Sequence, residues 1–258
     1  MLTRVIAGAV LAAVVVYAAR RTRTLSTSGA IVGWLVGTIC VAAGWTWAAL
    51  LLALFASASA LSAVGEKRKA ARLRSVIEAG RERSAGQVIA NGGLHAVAAV
   101  GFMLFPSPVW YAIGAGALAA SAADTWATEV GTLLGGDPIS IISGSRVPAG
   151  TSGGLTVVGT VSAVGGALFI AGGTSLANWP VAFAAVSLGG IAGALADSLL
   201  GGTVQERRWC ELCACSTERL VHDCGKSTQH VSGLTRFDND AVNMVCSAVG
   251  ALVALLLS

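Results

Sequence analysis

The chain has 258 residues, 55% hydrophobic and only 12% charged, with a mean hydropathy of +0.74. This composition excludes a soluble globular enzyme and describes an integral membrane protein, a single domain over residues 1–258. The net charge of +4 comes from 17 Lys and Arg against 13 Asp and Glu, and no soluble segment interleaves basic and aromatic residues as a nucleic-acid binder would.

A crossing helix needs about 20 mostly apolar residues. Such segments run over 4–19, 28–43, 45–64, 88–105, 108–130, 154–172, 180–201 and 239–257. They predict an all-α, polytopic membrane helix bundle of about eight transmembrane helices. Within 28–64 only Gly44 and Trp45 mark a break, and one long kinked helix is the alternative. The first run has the length of a signal-peptide core, but its basic cluster, Arg20, Arg21 and Arg23, follows the apolar run. That order favours a retained helix with the N-terminus outside.

With this orientation the inner connections hold Arg20, Arg21, Arg23, Lys67, Arg68, Lys69, Arg72, Arg74, Arg81, Arg83, Arg146, Arg207, Arg208, Arg219, Lys226 and Arg236. Only Arg4 is left outside. So complete a separation matches the enrichment of Lys and Arg in cytoplasmic loops and predicts a multi-pass protein of the cell membrane. The outer turns carry Trp45, Trp47, Trp110 and Trp179, amphipathic rings expected at the headgroup boundary.

Asp124, Glu129 and Asp197 lie inside stretches that are otherwise apolar. An ionised group at that depth costs roughly 2.5 kcal/mol or more, so it normally faces a partner, a cation or a hydrated cavity. Polar residues gather with them at the inner ends of the spans. Arg81, Arg83, Gln87 and Asn91 open the fourth span, and Thr125 and Thr128 accompany Asp124 and Glu129 at the end of the fifth. Gly150-Thr151-Ser152-Gly153-Gly154 precedes the sixth, Asp197 and Ser198 end the seventh, and Asn239, Asp240 and Asn243 open the eighth. Helical spacing puts Asp124 with Thr128, and Thr125 with Glu129, on adjoining faces.

Hard oxygen ligands of this kind suit Mg²⁺, which is usually held by one or two carboxylates together with substrate phosphates. Asp124, Glu129 and Asp197 are therefore the expected metal ligands. The amides of the 150–154 loop could cradle phosphate where a Gly-rich turn meets a helix start, with Arg81, Arg83 and Arg146 binding phosphate oxygens in fork geometry. Ala-Asp-Thr at 123–125 and Ala-Asp-Ser at 196–198, each followed by Gly-Gly, hint at an internal duplication, an arrangement also found in transporters.

The last inner connection, 203–237, holds Cys210, Cys213, Cys215 and Cys224 beside His222 and His230. The cytosol keeps thiols reduced, so the readings are free thiols or a Zn²⁺ site. Cys210-x-x-Cys213 followed by His222-x-Cys224 offers four ligands, with Cys215 as a substitute. A knuckle of this kind would stiffen a connection otherwise too long to be structureless. Cys40 and Cys246 read as helix-packing residues.

Several of these blocks resemble a known family when taken in order: RSAGQVIANG at 83–92, ADTWATEVG at 123–131, VPAGTSGG at 147–154, GALADSLLGGTVQ at 193–205, the Cys and His residues of 210–225, and FDNDAVN at 237–243. Together they are similar to the membrane family related to human transmembrane protein 19, known as domain of unknown function ninety-two. The resemblance covers residues 25–257. It implies kinship with the phytyl-phosphate kinase of tocopherol synthesis. The implied reaction is transfer of a phosphoryl group, from CTP, to an isoprenoid monophosphate, with Mg²⁺. Arg83, Gln87, Asn91, Asp124, Thr125, Glu129, Thr151, Asp197, Ser198, Gln205, Asn239, Asp240 and Asn243 match the family's polar positions.

The expected catalytic set is then Asp124, Glu129, Asp197, Asn91 and Asn243. Arg81, Arg83, Gln87, Thr125, Arg146, Thr151, Ser152, Gly153, Ser198, Gln205, Asn239 and Asp240 would contact substrate. Membrane lipid is the other expected partner, and an oligomer is compatible with the sequence. A cytidylyltransferase making a CDP-lipid and a cation-coupled transporter are the alternative functions.

Overall fold

The computed structural model describes residues 2–73, 82–217, 220–222 and 224–258. Among them the chain forms nine helices: α1 (Leu2–Arg21), α2 (Thr27–Ala43), α3 (Trp45–Ala63), α4 (Glu66–Leu73), α5 (Ala85–Leu104), α6 (Pro108–Leu134), α7 (Val157–Leu176), α8 (Phe183–Thr203) and α9 (Asn239–Leu256). All but the short, polar α4 sit on the apolar segments of the sequence. Six of them, α1, α3, α5, α7, α8 and α9, are long and apolar enough to cross a bilayer. α2 has 17 residues. α6 has 27, about 40 Å against a hydrocarbon core of about 30 Å, and small and polar residues dilute its apolar character. The break at Gly44 separates two helices, because this residue is extended (φ 160°, ψ 157°) between α2 and α3.

The chain is not purely helical. β1 (Ile139–Ser140) pairs with β2 (Gly154–Leu155), and β3 (Arg207–Cys210) lies between β4 (Cys215–Thr217) and β5 (Gln229–Ser232), all antiparallel. Both sheets lie in connections, where backbone groups without helical partners must bond to one another. The described residues of the 203–237 segment are thus folded. Its exit is clamped to its entry: Glu206 N donates to Phe237 O (2.8 Å), Leu234 N to Val204 O (2.9 Å) and Arg236 N to a Glu206 carboxylate oxygen (2.7 Å).

α6 is the central helix, packed against α3, α5, α7, α8 and α9. Lipid tails are as apolar as leucine side chains, so helices in a bilayer associate by close packing, and small residues permit it. Ala115, Ala117, Leu118, Ala119, Ala120, Ala122 and Ala123 of α6 are completely buried. Where α6, α8 and α9 meet, a Cβ on Gly189 would lie 2.6 Å from Gly250 O, and one on Gly250 would lie 2.6 Å from Gly116 O. α1 sits at the edge, joined to α2 through Gly8 against Thr38 and Val41, and Gly37 against Ala12.

At one end of the bundle the rings of Trp47, Phe102, Tyr111 and Trp179 interlock, with Trp47 and Trp179 centroids 4.5 Å apart. His95, fully buried, ties α5 to its neighbours: Nδ1 lies 3.0 Å from Gly114 O and Nε2 lies 3.1 Å from Trp47 O. This corrects the headgroup reading for Trp47 and Trp179, which are 1% and 6% exposed. Large rings fill the space that the Gly- and Ala-rich helices leave between them. Trp45 does remain outward. The connections α1–α2, α3–α5, α6–α7 and α8–α9 gather at the other end, where Leu25 bridges Arg83.

Gly250→Leu overpacks the α6–α8–α9 seam and should cost about 1–3 kcal/mol. Gly172→Ala, where a Cβ meets nothing within 4 Å, should be neutral or slightly stabilising. Thermal unfolding of both variants in detergent checks the contrast.

Candidate functional site

The last turns of α6 carry Asp124, Thr125, Thr128 and Glu129 into a cavity of about 880 Å³ at the loop-rich end. Of the residues expected there from sequence, Arg83, Gln87, Asn91, Thr151, Ser152, Gly153, Asp197, Ser198, Gln205, Asn239, Asp240 and Asn243 also line it. Arg81 lies outside the described residues. Arg146 is not brought to the cavity: it sits exposed on the α6–α7 connection, bridged through its backbone to Ile139.

Asp124 on α6 and Asp197 on α8 lie side by side on the wall of this cavity. Like charges brought together are relieved by a cation held between them, and the hard oxygens of these two side chains fit Mg²⁺. The structure therefore pairs the two acids that the Ala-Asp-Thr and Ala-Asp-Ser repeats single out.

Glu129 has a different setting. Its carboxylate accepts from Lys69 Nζ (2.5 Å) and from Ser62 Oγ, and Arg83 lies within its field. Lys69 is 6% exposed and spends its remaining donors on Leu61 O (2.7 Å) and Ser62 O (2.9 Å), the otherwise unpaired carbonyls at the C-terminus of α3. Glu129 is therefore the anchor of α4, a structural role beyond the metal-ligand role expected of it. Arg72 reinforces the strap through Thr132 O (2.7 Å) and Gly136 O. In the sequence Lys69 stands out only as one charge of a basic connection. The available signal was helical spacing, since Glu66, Lys69, Ala70 and Leu73 form an i, i+3, i+4, i+7 stripe and all four line the cavity.

Arg83 reaches Ser59 Oγ (3.0 Å) and lies over the Phe55 ring. Its backbone pairs with Thr24 O and Ser26 N, both at 3.0 Å. Gln87 completes a capping box with Ser84, donating its backbone N–H to Ser84 Oγ (3.3 Å) while its Oε1 accepts from Ser84 N (3.0 Å). Its carbonyl is thus structural, and Ser-x-x-Gln at 84–87 is the sequence signature of this motif. Asp240 packs against Gly86 in the first turn of α5, where a Cβ would overlap its carboxylate. Beneath Asn91, the Ser121 hydroxyl lies 3.0 Å from both Asn91 O and Ser247 Oγ, a polar tie among α5, α6 and α9.

The Gly-rich loop does not run straight into a helix start. β2 and Thr156 intervene, and Thr156 Oγ1 caps α7 by accepting from Gly159 N (2.9 Å). Within the loop Thr151 N donates to Pro148 O and Gly154 N to Thr151 O, so two of the expected phosphate-cradling amides are spent on its own turns. Gly153 has φ +78°, and a Cβ there would sit 2.5 Å from Gly202 Cα, so the loop rests directly on α8. Arg207 secures it, donating to Ser152 O (3.3 Å) and Gly201 O (3.4 Å). Ser198 Oγ turns back onto Ala194 O (3.2 Å).

Beside the cavity, Cys210, Cys213, His222 and Cys224 present ligand atoms all within 4.8 Å of one another. The backbone N–H of Lys226 and the His222 ring draw the Cys224 thiol down to about 7. Contact with Cys224, then with Cys210, pushes Cys213 up to about 12.

Lys69→Met should strand a partly buried Glu129 and cost about 3 kcal/mol. Adding Glu129→Gln should recover much of that loss. A double-mutant cycle on thermal unfolding measures the coupling, and additive losses would contradict the pairing.

The family described as integral membrane protein DUF92 matches residues 10–251. The chain is 29% identical over 269 residues to Protein PGR of Arabidopsis thaliana, covering 94% of this chain and 92% of that protein. It is 28% identical to an uncharacterized membrane protein of Methanocaldococcus jannaschii, over 92% of this chain and 87% of the relative. An uncharacterized membrane protein of Synechocystis is 30% identical over 67% of this chain and 69% of its own length. No solved structure matches. A match across nearly the whole chain, together with membrane-length helices, means that the chain belongs to the DUF92 family of integral membrane proteins.

Proposed function

We propose that the protein is a CTP-dependent kinase for isoprenoid monophosphates of the phytyl phosphate class, producing the diphosphate at the cytoplasmic face of a cell membrane. The observation that carries this reading is the meeting of Asp124 and Asp197 inside a cavity also lined by Arg83, three asparagines and a Gly-rich loop. Phosphoryl transfer asks mainly for positioning and for neutralisation of phosphate charge, and these groups supply both. The resemblance of its sequence blocks to the family related to human transmembrane protein 19, which implies kinship with phytyl-phosphate kinase, supports the same reading.

Eight crossings, α1 to α3 and α5 to α9, with the N-terminus outside, put the cavity on the cytoplasmic side. The support for this orientation is that the basic connections share the cavity end. The isoprenoid tail lies among the helices in the bilayer, its phosphate reaches the cavity, and CTP enters from the cytosol. Asp124 and Asp197 would hold Mg²⁺, which supplies charge neutralisation at the phosphate oxygens. Arg83 faces those oxygens as a fixed cation. Asn91, Asn239 and Asn243 hydrogen-bond the substrates and hold them in line, while the 150–154 loop bounds the phosphate side. The acceptor is a monophosphate oxygen, nucleophilic near neutral pH, so no strong base is needed. A two-sided carrier fits less well, because the ring cluster around Trp47 and Trp179 fills the opposite end.

Purified protein given radiolabelled CTP and phytyl, geranylgeranyl or polyprenyl monophosphate should release CDP. Asp124→Asn and Asp197→Asn should each lower the rate by about 100-fold or more. Release of pyrophosphate would identify a cytidylyltransferase instead, and full activity in both variants would remove the basis of the proposal.

A further inference from the structure

The connection between α8 and α9 brings two ligand pairs together on separate turns. β3 delivers Cys210, which pairs in register with Cys215 across a turn containing Cys213. Ala214 closes that turn at φ +48°, the left-handed conformation that glycine usually provides after the second cysteine of such a knuckle. His222 and Cys224 occupy a second turn, closed by His222 N to Lys226 O (2.9 Å) and Gly225 N to His222 O (2.8 Å).

The spacing of the donors is that of a shared cation. Cys210 Sγ lies 3.6 Å from Cys224 Sγ, and His222 Nδ1 lies 3.3 Å from the same sulfur. A disulfide would need about 2.05 Å. Tetrahedral zinc, with bonds of about 2.3 Å to sulfur and about 2.0 Å to nitrogen, separates its ligand atoms by roughly 3.5–3.8 Å. Three soft sulfurs and one imidazole favour zinc over the hard cations. Cys215 lies on the far side of the imidazole, its Sγ 3.5 Å from Nε2. That is the place of the group that orients a ligating histidine.

We propose that Cys210, Cys213, His222 and Cys224 bind a structural Zn²⁺ through three thiolates and the Nδ1 of His222, with Cys215 holding the other ring nitrogen. Binding joins the two turns and releases the thiol protons to solvent. The metal stiffens the β4–β3–β5 sheet, whose Thr217 lines the cavity two residues beyond Cys215. The site is independent of the reaction proposed for that cavity.

The full chain, purified in detergent without chelator, should contain about one zinc per molecule by elemental mass spectrometry. Cys213→Ser and Cys224→Ser should lose it. Cys215→Ser should keep it, with affinity lowered by about 10-fold to 100-fold. If the ligand variants fail to fold, cobalt exchanged into the wild-type protein and into Cys215→Ser should give the same sulfur-to-cobalt charge-transfer band of three thiolates. Four outcomes would overturn the assignment: wild-type protein that neither contains nor takes up zinc or cobalt, iron in its place, loss of zinc from Cys215→Ser with retention in Cys213→Ser, or a weakened cobalt band in Cys215→Ser.

Discussion

The site depends on how closely α8 and α9 approach α6. Gly116, Gly189 and Gly250 leave no room for side chains at the seam, and that contact lets carboxylates from two helices touch at the end of the bundle. In a bilayer, where apolar surface gives helices little reason to prefer one another over lipid, such packing is the main source of specificity. The glycine seam and the acid pair are thus two consequences of the same small-residue faces. α6 carries two acids and is the long helix most surrounded by protein. A helix carrying Asp124 and Glu129 is best accommodated where neighbouring helices shield it from lipid.

The three membrane-depth acids divide by environment. Asp124 and Asp197 lie together on the cavity wall, whereas Glu129 is neutralised by Lys69 and braces α4 against α3 and α6. The same strap borders the cavity with Glu66 and Leu73. Cations follow the same division. Arg207 and Arg72 spend their donors on backbone carbonyls, sealing the Gly-rich loop and the α6 terminus. Arg83 keeps a cavity face while its backbone is tied to the α1–α2 turn. Much of the positive charge around this site therefore maintains its shape.

The two ends of the bundle are closed by different means. Opposite the cavity, interlocked rings and the His95 bridge make a dense plug. On the cavity side, short sheets and capped loops satisfy the backbone and leave the centre open. The Cys and His turns belong to this second layer, next to Thr217 and above the clamp formed by Glu206 with the 234–237 segment.

The positions of the helices, the break at Gly44 and the membership of most of the cavity were legible in the sequence. A bilayer imposes a minimum apolar length and penalises stray charge, so Asp124, Asp197, Asn91 and Asn243 stand out against their surroundings. Only the tertiary structure decided how these groups are used. Whether an acid meets another acid or a lysine, as with Asp197 and Lys69, depends on which helix faces come together, and residues far apart in sequence carry no local mark of that pairing. For the same reason Arg146 was left at the surface, Trp47 was drawn inside, and Gln87 was turned to its own helix cap. Periodicity and composition report what each segment can bury, while contact between segments sets the partner.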